Sequence, residues 1–326
     1  MARSEKQNMI RTRGLKRTFK ARGRAREKDV EAVKGVDLDV FQGEIVGFLG
    51  PNGAGKSTTL KMLCTLLEPS GGTATIVGTD LSKNPDEVKR HIGYISQSGS
   101  TSSAARAGDE LIWHGELHGL SRTEARKKGK SLLKALDLEG VWEQTCGTLS
   151  GGQRRRLDIV MGLIHEPELV FMDEPTTGLD PQARTNLWGH IGRLRDELGT
   201  TVFLTTHYMD EADALCDRVF IIDHGEIVGE RSPKELKKAV SGDTIRLTMR
   251  NGADTRAAME LGSSLGTATP VQVGNVVTIQ VPEGASALPE IISALNKKNI
   301  EAIGIEMAQP TLNDVFLSLT GRSLRD

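Results

Sequence analysis

Cysteine is scarce, at three in 326 residues (Cys64, Cys146 and Cys216), an odd number without metal-ligand spacing. That excludes a disulfide framework or thiolate metal centre and suits buried or incidental thiols in a reducing cytosol. Aromatic residues are few as well, at 4%, so a ring beside a binding motif stands out. No apolar run approaches the roughly 18 residues that a membrane span needs, and the N-terminus has no apolar signal-peptide segment. Any membrane role is therefore expected to come through a partner chain. Net charge is nearly absent too, at −1. It is unevenly spread: residues 1–28 hold 11 Lys/Arg against 2 acids, which leaves 31 against 41 in the rest. Such a basic arm fits nucleic acid or anionic lipid, and equally a solvated edge strand with a basic loop. The remaining composition, 37% hydrophobic and 26% charged, is that of a globular chain with room for about two domains.

What the chain does have is glycine, and at one place it is organised. Ile45 to Leu60 reads IVGFLGPNGAGKSTTL: an apolar run stops at Gly50, a glycine-rich turn follows, and helix formers come next. The spacing Gly50-x-x-x-x-Gly55-Lys56-Ser57 fits a phosphate-binding loop between a buried strand and a helix. Gly53 and Gly55 lack a Cβ, so the backbone can curl and aim several N–H groups at one phosphate. Lys56 adds a point charge for β- and γ-phosphates, and the Ser57 hydroxyl is a ligand for Mg²⁺. Gly50, Pro51, Asn52, Gly53, Ala54, Gly55, Lys56, Ser57 and Thr58 are thus expected to hold a nucleoside triphosphate.

Strands are expected at 10–19 and 30–41, joined by the basic stretch KARGRAREKD at 20–29 as an exposed hairpin loop, after a frayed start at 1–8. Phe19 suits either a ring stacked on a nucleobase or ordinary core. A strand at 73–77, a helix at 84–90 and a strand at 92–95 ending near Gln97 follow. The next segment, SGSTSSAARAG, is small and polar, a plain surface loop or one that moves with nucleotide state. From 109 to 138 the pattern is helical, broken at Gly119-Leu120-Ser121, which predicts a helical subdomain inserted into an α/β core. Leu149-Ser150-Gly151-Gly152-Gln153 opens another helix; Ser150 suits its N-cap, and the paired glycines make a second anion site. Two phosphate-binding helix starts in one chain fit a γ-phosphate gripped by two copies at once.

Here a resemblance enters. LSGGQ (149–153) is similar to the signature motif of ATP-binding cassette (ABC) ATPases, and other motifs of that family arrive in order. Leu169 to Glu174 (LVFMDE) looks like a Walker B strand, with Asp173 toward Mg²⁺ and Glu174 toward the attacking water. PTTGLD (175–180) resembles the D-loop, ending at Asp180. By the same resemblance His207 takes the place of the switch histidine at the γ-phosphate. Gln97 is the Q-loop glutamine near Mg²⁺ and water, and Phe19 holds the adenine-stacking position, where the family more often has Tyr. The resemblance covers about residues 19 to 210 and implies a P-loop α/β nucleotide-binding domain at 1–240, its helical subdomain at about 98–160.

From about 241 the composition shifts. Strand, helix, two strands around Gly274-Asn275, helix and strand give a β-α-β-β-α-β order, which suits a small ferredoxin-like α+β domain at 241–326. No catalytic constellation stands there, so a structural or dimer-stabilising appendage is expected. PTLNDVFLSLTG (310–321) looks like the tail of ATPase subunits of daunorubicin-type drug exporters.

These resemblances imply an ATPase that powers export of a small hydrophobic compound through a separate polytopic permease, at the cytoplasmic face of the cell membrane. Two copies would sandwich two ATP·Mg²⁺ head to tail. Lys56, Glu174, Gln97 and His207 would act on the phosphate, and Ser57, Asp173 and Gln97 on the metal. Ser150, Gly151, Gly152, Gln153 and Asp180 would reach the nucleotide from the other copy. The rival is a soluble ABC ATPase acting on ribosomes or nucleic acid through the basic arm. Translation factors of this family usually carry two cassettes, and chromosome-maintenance members place long coiled coils between phosphate loop and signature. Here there is one cassette, and Gly50 and Leu149 are 99 positions apart without heptads, so no nucleic acid is expected.

Overall fold

The structure is a computed structural model that describes residues 7–20, 29–239, 242–298 and 300–320. The expected basic loop at 20–29 and the expected frayed start fall almost wholly outside the described residues, as does the boundary expected between 240 and 241. The chain divides into two units, between Ser232 and Pro233.

In chain order the first unit runs β1 (Asn8–Phe19), β2 (Val30–Phe41), β3 (Ile45–Leu49), α1 (Lys56–Leu63), β4 (Gly71–Ile76), β5 (Thr79–Asp80), α2 (Pro85–His91) and β6 (Ile92–Ile95). Three helices follow, α3 (Ala107–Leu117), α4 (Arg122–Ala135) and α5 (Gly151–Leu163). Then come β7 (Leu169–Asp173), α6 (Pro181–Leu198), β8 (Thr201–Thr206), α7 (Met209–Leu215), β9 (Arg218–Asp223) and β10 (Glu226–Arg231).

A six-stranded sheet has the order β10-β9-β3-β8-β7-β6, parallel except for the antiparallel β9–β10 pair. Strands covered on both faces need continuous apolar runs, and every residue of β3, β7 and β8 is buried. One ring from each locks them together: Phe48 lies 5.6 Å and Phe171 5.8 Å, centroid to centroid, from Phe203. In a chain this poor in aromatics, three of seven phenylalanines are spent on registering the strands that carry the site. A second, antiparallel sheet, β2-β1-β4-β5, packs its apolar face into the same core through Ile10, Leu15, Val36 and Leu38.

The helical pattern from 109 to 138 is two helices, and the break falls where Gly119 to Ser121 predicts it. Ser121 starts α4 with a capping box, its side chain accepting from Glu124 N–H while Glu124 reaches back. The same device starts α5, with Ser150 and Gln153 as the reciprocal pair. The small polar segment after Gln97 leads into α3, as a loop.

The second unit comprises α8 (Pro233–Ala239), β11 (Asp243–Met249), α9 (Gly252–Leu265), β12 (Val271–Val273), β13 (Val276–Val281), α10 (Gly284–Lys297), β14 (Ala302–Ala308) and α11 (Leu312–Thr320). Its sheet has the order β12-β13-β11-β14, wholly antiparallel, which with the β-α-β-β-α-β succession is the ferredoxin-like arrangement. Ile245, Leu247 and Met249 of β11 alternate into a core with Val277 and Ile279 of β13 and Ile291 and Leu295 of α10. The helix expected to end the nucleotide-binding domain, α8, belongs instead to this unit: it packs on α11, whose Leu312, Val315 and Phe316 are buried.

Candidate active site

The parallel register sets the site. Leu49 lies beside Thr206, Asp173 beside Thr205 and Ile95 beside Met172, so β3, β8, β7 and β6 end together. Whatever follows each strand meets at that edge, where open α/β sheets bind ligands. Those followers are the glycine-rich loop, His207, Glu174 and Gln97. They line a cleft of about 490 Å³ together with Ala32, Asn52, Gly53, Gly55, Lys56, Ser57, Thr58 and Thr177.

The loop's glycines are steric requirements. A Cβ on Gly50 would stand 2.3 Å from the Ile222 carbonyl oxygen. Gly55, the N-cap of α1, has φ +105°, and a Cβ there would lie 2.5 Å from the Ala32 carbonyl oxygen. The turn delivers α1 with its first amides facing the cleft, an electropositive helix end. Lys56, only 4% exposed, donates to the carbonyls of Gly50 (2.8 Å) and Pro51 (3.0 Å) and lies 3.5 Å from Glu174 Oε1. Burial pulls its pKa down, and the Glu174 and Asp173 carboxylates pull it back up.

Ser57 Oγ and Thr205 Oγ1 both donate to Asp173 Oδ1, at 2.9 and 2.7 Å. Glu174, at the end of β7, has φ +44°, a conformation few side chains adopt unaided. Its N–H donates to Thr205 Oγ1 at 3.0 Å, which helps to hold it there. Its carboxylate is the focus of the cleft. Oε2 accepts from Gln97 Nε2 (2.9 Å) and Thr177 Oγ1 (3.1 Å), and Oε1 lies 3.2 Å from His207 Nδ1. That last approach is too poorly aligned for a hydrogen bond, so His207 Nδ1 is a buried nitrogen without one. An orphaned ring nitrogen, a buried ammonium and a free helix start in one cleft are the complement of an anionic phosphate. The hydroxyl and carboxylate oxygens of Ser57 and Asp173 are a hard-oxygen set that suits Mg²⁺.

A second cleft, of about 400 Å³, is lined by Ser150, Gly151, Gly152, Arg156, Gly178, Leu179, Asp180 and Ala183, among others, and shares no lining residue with the first. Ser150 and Asp180 are both N-caps, Asp180 accepting from Ala183 N–H at 2.9 Å.

Most expected site residues thus converge on one of the two clefts. Gly50, Pro51 and Ala54 shape the loop without lining the cavity, Asp173 stands behind the lining and accepts from Ser57, and Gln153 closes the capping box of α5 instead of lining the second cleft. Phe19 does not line the cleft either. It pairs with Val30 on the β1–β2 ribbon, two residues from Ala32, 40% exposed beneath the Arg17 guanidinium at 4.8 Å. Thr177 and Thr205 are site residues that the sequence reading does not single out. Thr177 lies inside the PTTGLD motif, whereas nothing local marks Thr205, whose role comes from its register with Asp173.

Residues 33–177 match the ABC transporter family, and residues 232–320 match the C-terminal domain of DrrA1-3-like ATP-binding proteins. The daunorubicin/doxorubicin resistance ATP-binding protein DrrA of Streptomyces peucetius is 41% identical over 90% of this chain and 89% of its own. The chain belongs to the ABC transporter ATP-binding subunits. Other relatives of this ABC ATPase include the linearmycin resistance ATP-binding protein LnrL of Bacillus subtilis, 34% identical over 90% of this chain and 95% of that one. The Nod factor export ATP-binding protein I of Cupriavidus metallidurans is 35% identical over 91% and 95%. Among solved structures, the dimeric bacterial ABC transporter cassette MJ0796 is similar at 28% identity and TM-score 0.62, over 69% of this chain and 98% of that one. A dimeric post-hydrolysis state of the same cassette, bound to ADP and Pi, is similar at 27% identity and TM-score 0.62, with the same coverage. The chain is accordingly an ATP-hydrolysing cassette subunit. No helix among the described residues is long and apolar enough to cross a membrane.

Proposed function

We propose that this subunit hydrolyses ATP to drive export of a small hydrophobic compound through a separate polytopic permease, from the cytoplasmic face of the membrane. The observation that carries the hydrolytic part is the convergence of Gln97, Thr177, His207 and Lys56 on the Glu174 carboxylate, all within 3.5 Å. The export part is supported by relatives named for drug resistance, linearmycin resistance and Nod factor export.

In this reading the loop amides and Lys56 hold the β- and γ-phosphates, and Lys56 exchanges its contact with Glu174 for the phosphate. Ser57 and Asp173, with Gln97 beside them, would hold Mg²⁺, which when bound draws negative charge from the phosphate oxygens. Glu174 takes the proton of the attacking water or orients it, Gln97 and Thr177 fix its carboxylate, and His207 Nδ1 meets the γ-phosphate. Phosphoryl transfer depends mostly on positioning and electrostatics, which is what these contacts supply. The second cleft belongs to the other active site of a head-to-tail dimer: Ser150, Gly151 and Gly152 offer helix-start amides to the partner copy's ATP. The separate linings of the two clefts support that arrangement, and so does the dimeric state of the similar cassette. Phe19 is proposed to stack on adenine from the strand ribbon beside Ala32.

The test is mass spectrometry of what co-purifies with the tagged chain from detergent-solubilised membranes at low salt. A stoichiometric polytopic protein is expected. Ribosomal proteins or DNA without a permease would overturn the transport reading and leave the ATPase intact.

A further inference from the structure

Arg155 and Asp158 stand three residues apart on α5, hence on one face of it, and both are buried, at 7% and 5% exposure. Neither lines either cleft. A buried guanidinium is costly unless all its edges are satisfied, and this one spends them on a single object. Arg155 Nε donates to the Pro175 carbonyl at 2.6 Å and Nη1 to the Ser96 carbonyl at 2.5 Å. Nη2 donates to the Asp173 carbonyl at 3.2 Å and, more weakly, to that of Glu174 at 3.5 Å. Each acceptor is Glu174 itself or a chain neighbour of Glu174 or Gln97. Asp158 takes the far flank of Gln97: its Oδ1 accepts from Ser100 N–H at 3.0 Å. The segment from 96 to 100 is therefore pinned at both ends by one turn of α5. The end of β7, where Glu174 holds φ +44°, is pinned by the same guanidinium. A backbone in that region persists only where its surroundings over-determine it.

We propose that Arg155 and Asp158 are positioning residues that set Glu174 and Gln97 from the signature helix, so that the start of α5 and the hydrolytic groups of the same chain move as one body. The inference rests on the reading of Glu174 and Gln97 as those groups. In the head-to-tail dimer its consequence is direct. The start of α5 touches the partner's ATP, and its second turn fixes the chain's own water-activating residues, so engagement at one site aligns the other. Two serial sites linked through a rigid element have a coupling that either can report.

The test uses the full chain with Arg155→Lys and Arg155→Gln, measuring kcat, KM for ATP, equilibrium ATP binding and thermal unfolding. Lysine keeps charge and reach but cannot bridge four carbonyls. Arg155→Lys should lower kcat by about ten- to a hundredfold, the scale of a sub-ångström to one-ångström misplacement of a reacting group. KM and ATP affinity should stay within about twofold. In a Gln97→Ala background the same substitution should cost several-fold less, because one of the groups it positions is gone. A wild-type kcat in Arg155→Lys would overturn the inference, as would kcat and affinity falling together or an equal loss in both backgrounds. Should Arg155→Gln fail to fold, the lysine variant alone decides. If Glu174→Gln retains turnover, the reading of the site itself has failed. If Glu174→Gln is inactive while Arg155→Lys is fully active, only the positioning role has failed.

Discussion

Replacing Glu174 by glutamine changes one oxygen for an NH₂ at the focus of the cleft, and the structure separates its consequences. The shape is retained: the substituted side chain keeps a carbonyl oxygen to accept from Gln97 and Thr177, which now stand 2.9 and 3.1 Å from the Glu174 carboxylate. The backbone contact to Thr205 is untouched. The chemistry is not retained. A positioned general base contributes about 10²–10⁴ in rate, so kcat should fall by that factor, equivalent to roughly 3–5 kcal/mol of barrier. Nucleotide binding should move the other way. Glu174 Oε1 lies 3.5 Å from Lys56 Nζ, a pair of which both members are buried, at 4% and 8% side-chain exposure. At an effective dielectric constant of about 20 that attraction is on the order of 5 kcal/mol, most of which the incoming phosphates must replace. Removing the competing charge should leave a net gain of about 1–2 kcal/mol, or roughly 5- to 30-fold tighter ATP binding. Phosphate release, equilibrium binding of a fluorescent ATP analogue and size-exclusion chromatography with ATP check the three parts. A stable ATP-loaded dimer without turnover is expected. Turnover within about tenfold of wild type, or weaker ATP binding, would refute the account of Glu174 as both the water-activating group and the competitor for Lys56.

Lys56→Ala should abolish turnover and weaken ATP binding at least about tenfold, since it removes the ammonium aimed at the phosphates; near-normal hydrolysis would sink the phosphate-loop assignment. Stability should fall in acid through His114, His118 and His165. His165 and His114 are pushed by burial down to about 4 from 6.5, His118 is lowered by the same cause, and His118 and His165 stack at 3.8 Å with Lys128 nearby. Between pH 6.5 and about 4 the unfolded chain binds more protons than the folded one, so stability is present above that window and is lost as pH falls through it. The melting temperature should drop accordingly, and His165→Phe, which keeps a stacking ring, should flatten the slope; an unchanged slope would refute the assignment. Leu247→Ala removes a fully buried side chain from the second unit and should destabilise that unit by about 2–5 kcal/mol, with ATP affinity unchanged. Calorimetry that showed ATP binding lost in parallel would refute the assignment of Leu247 to a core of the second unit alone.

Much of the fold is legible because local chemistry and tertiary context agree. The strand at 92–95, the hairpin around Gly274-Asn275 and the helix break at Gly119 appear where turn residues and periodicity put them. β9 (Arg218–Asp223) carries no comparable mark, and α6 (Pro181–Leu198) is marked only at its ends. The first is a short apolar run with no alternation, and the second mixes charged and small residues with only four buried positions, Leu187, His190, Ile191 and Leu194. A weak stripe like that becomes a helix through its Asp180 cap, its Pro181 start and the surface it packs on. The first unit ends at Ser232, short of the boundary expected at 240, for a related reason. α8 has no local mark of which core it joins, and α11, far along the chain, supplies the surface.

Spacing and motif order mark the phosphate loop and single out Lys56, Ser57, Asp173, Glu174 and His207, because those functions need particular residue types at fixed distances along the chain. Three-dimensional packing settled the rest. Gln97, Glu174 and His207 follow three different strands, and only the parallel register brings Gln97 and His207 within 3.5 Å of the Glu174 carboxylate. Thr205 and Arg155 act through partners 32 and 18 to 59 positions away, and no local pattern encodes such contacts. They exist because the parallel pairing of β3, β8, β7 and β6 brings those strand ends to one edge, and α5 packs against β6 beside them.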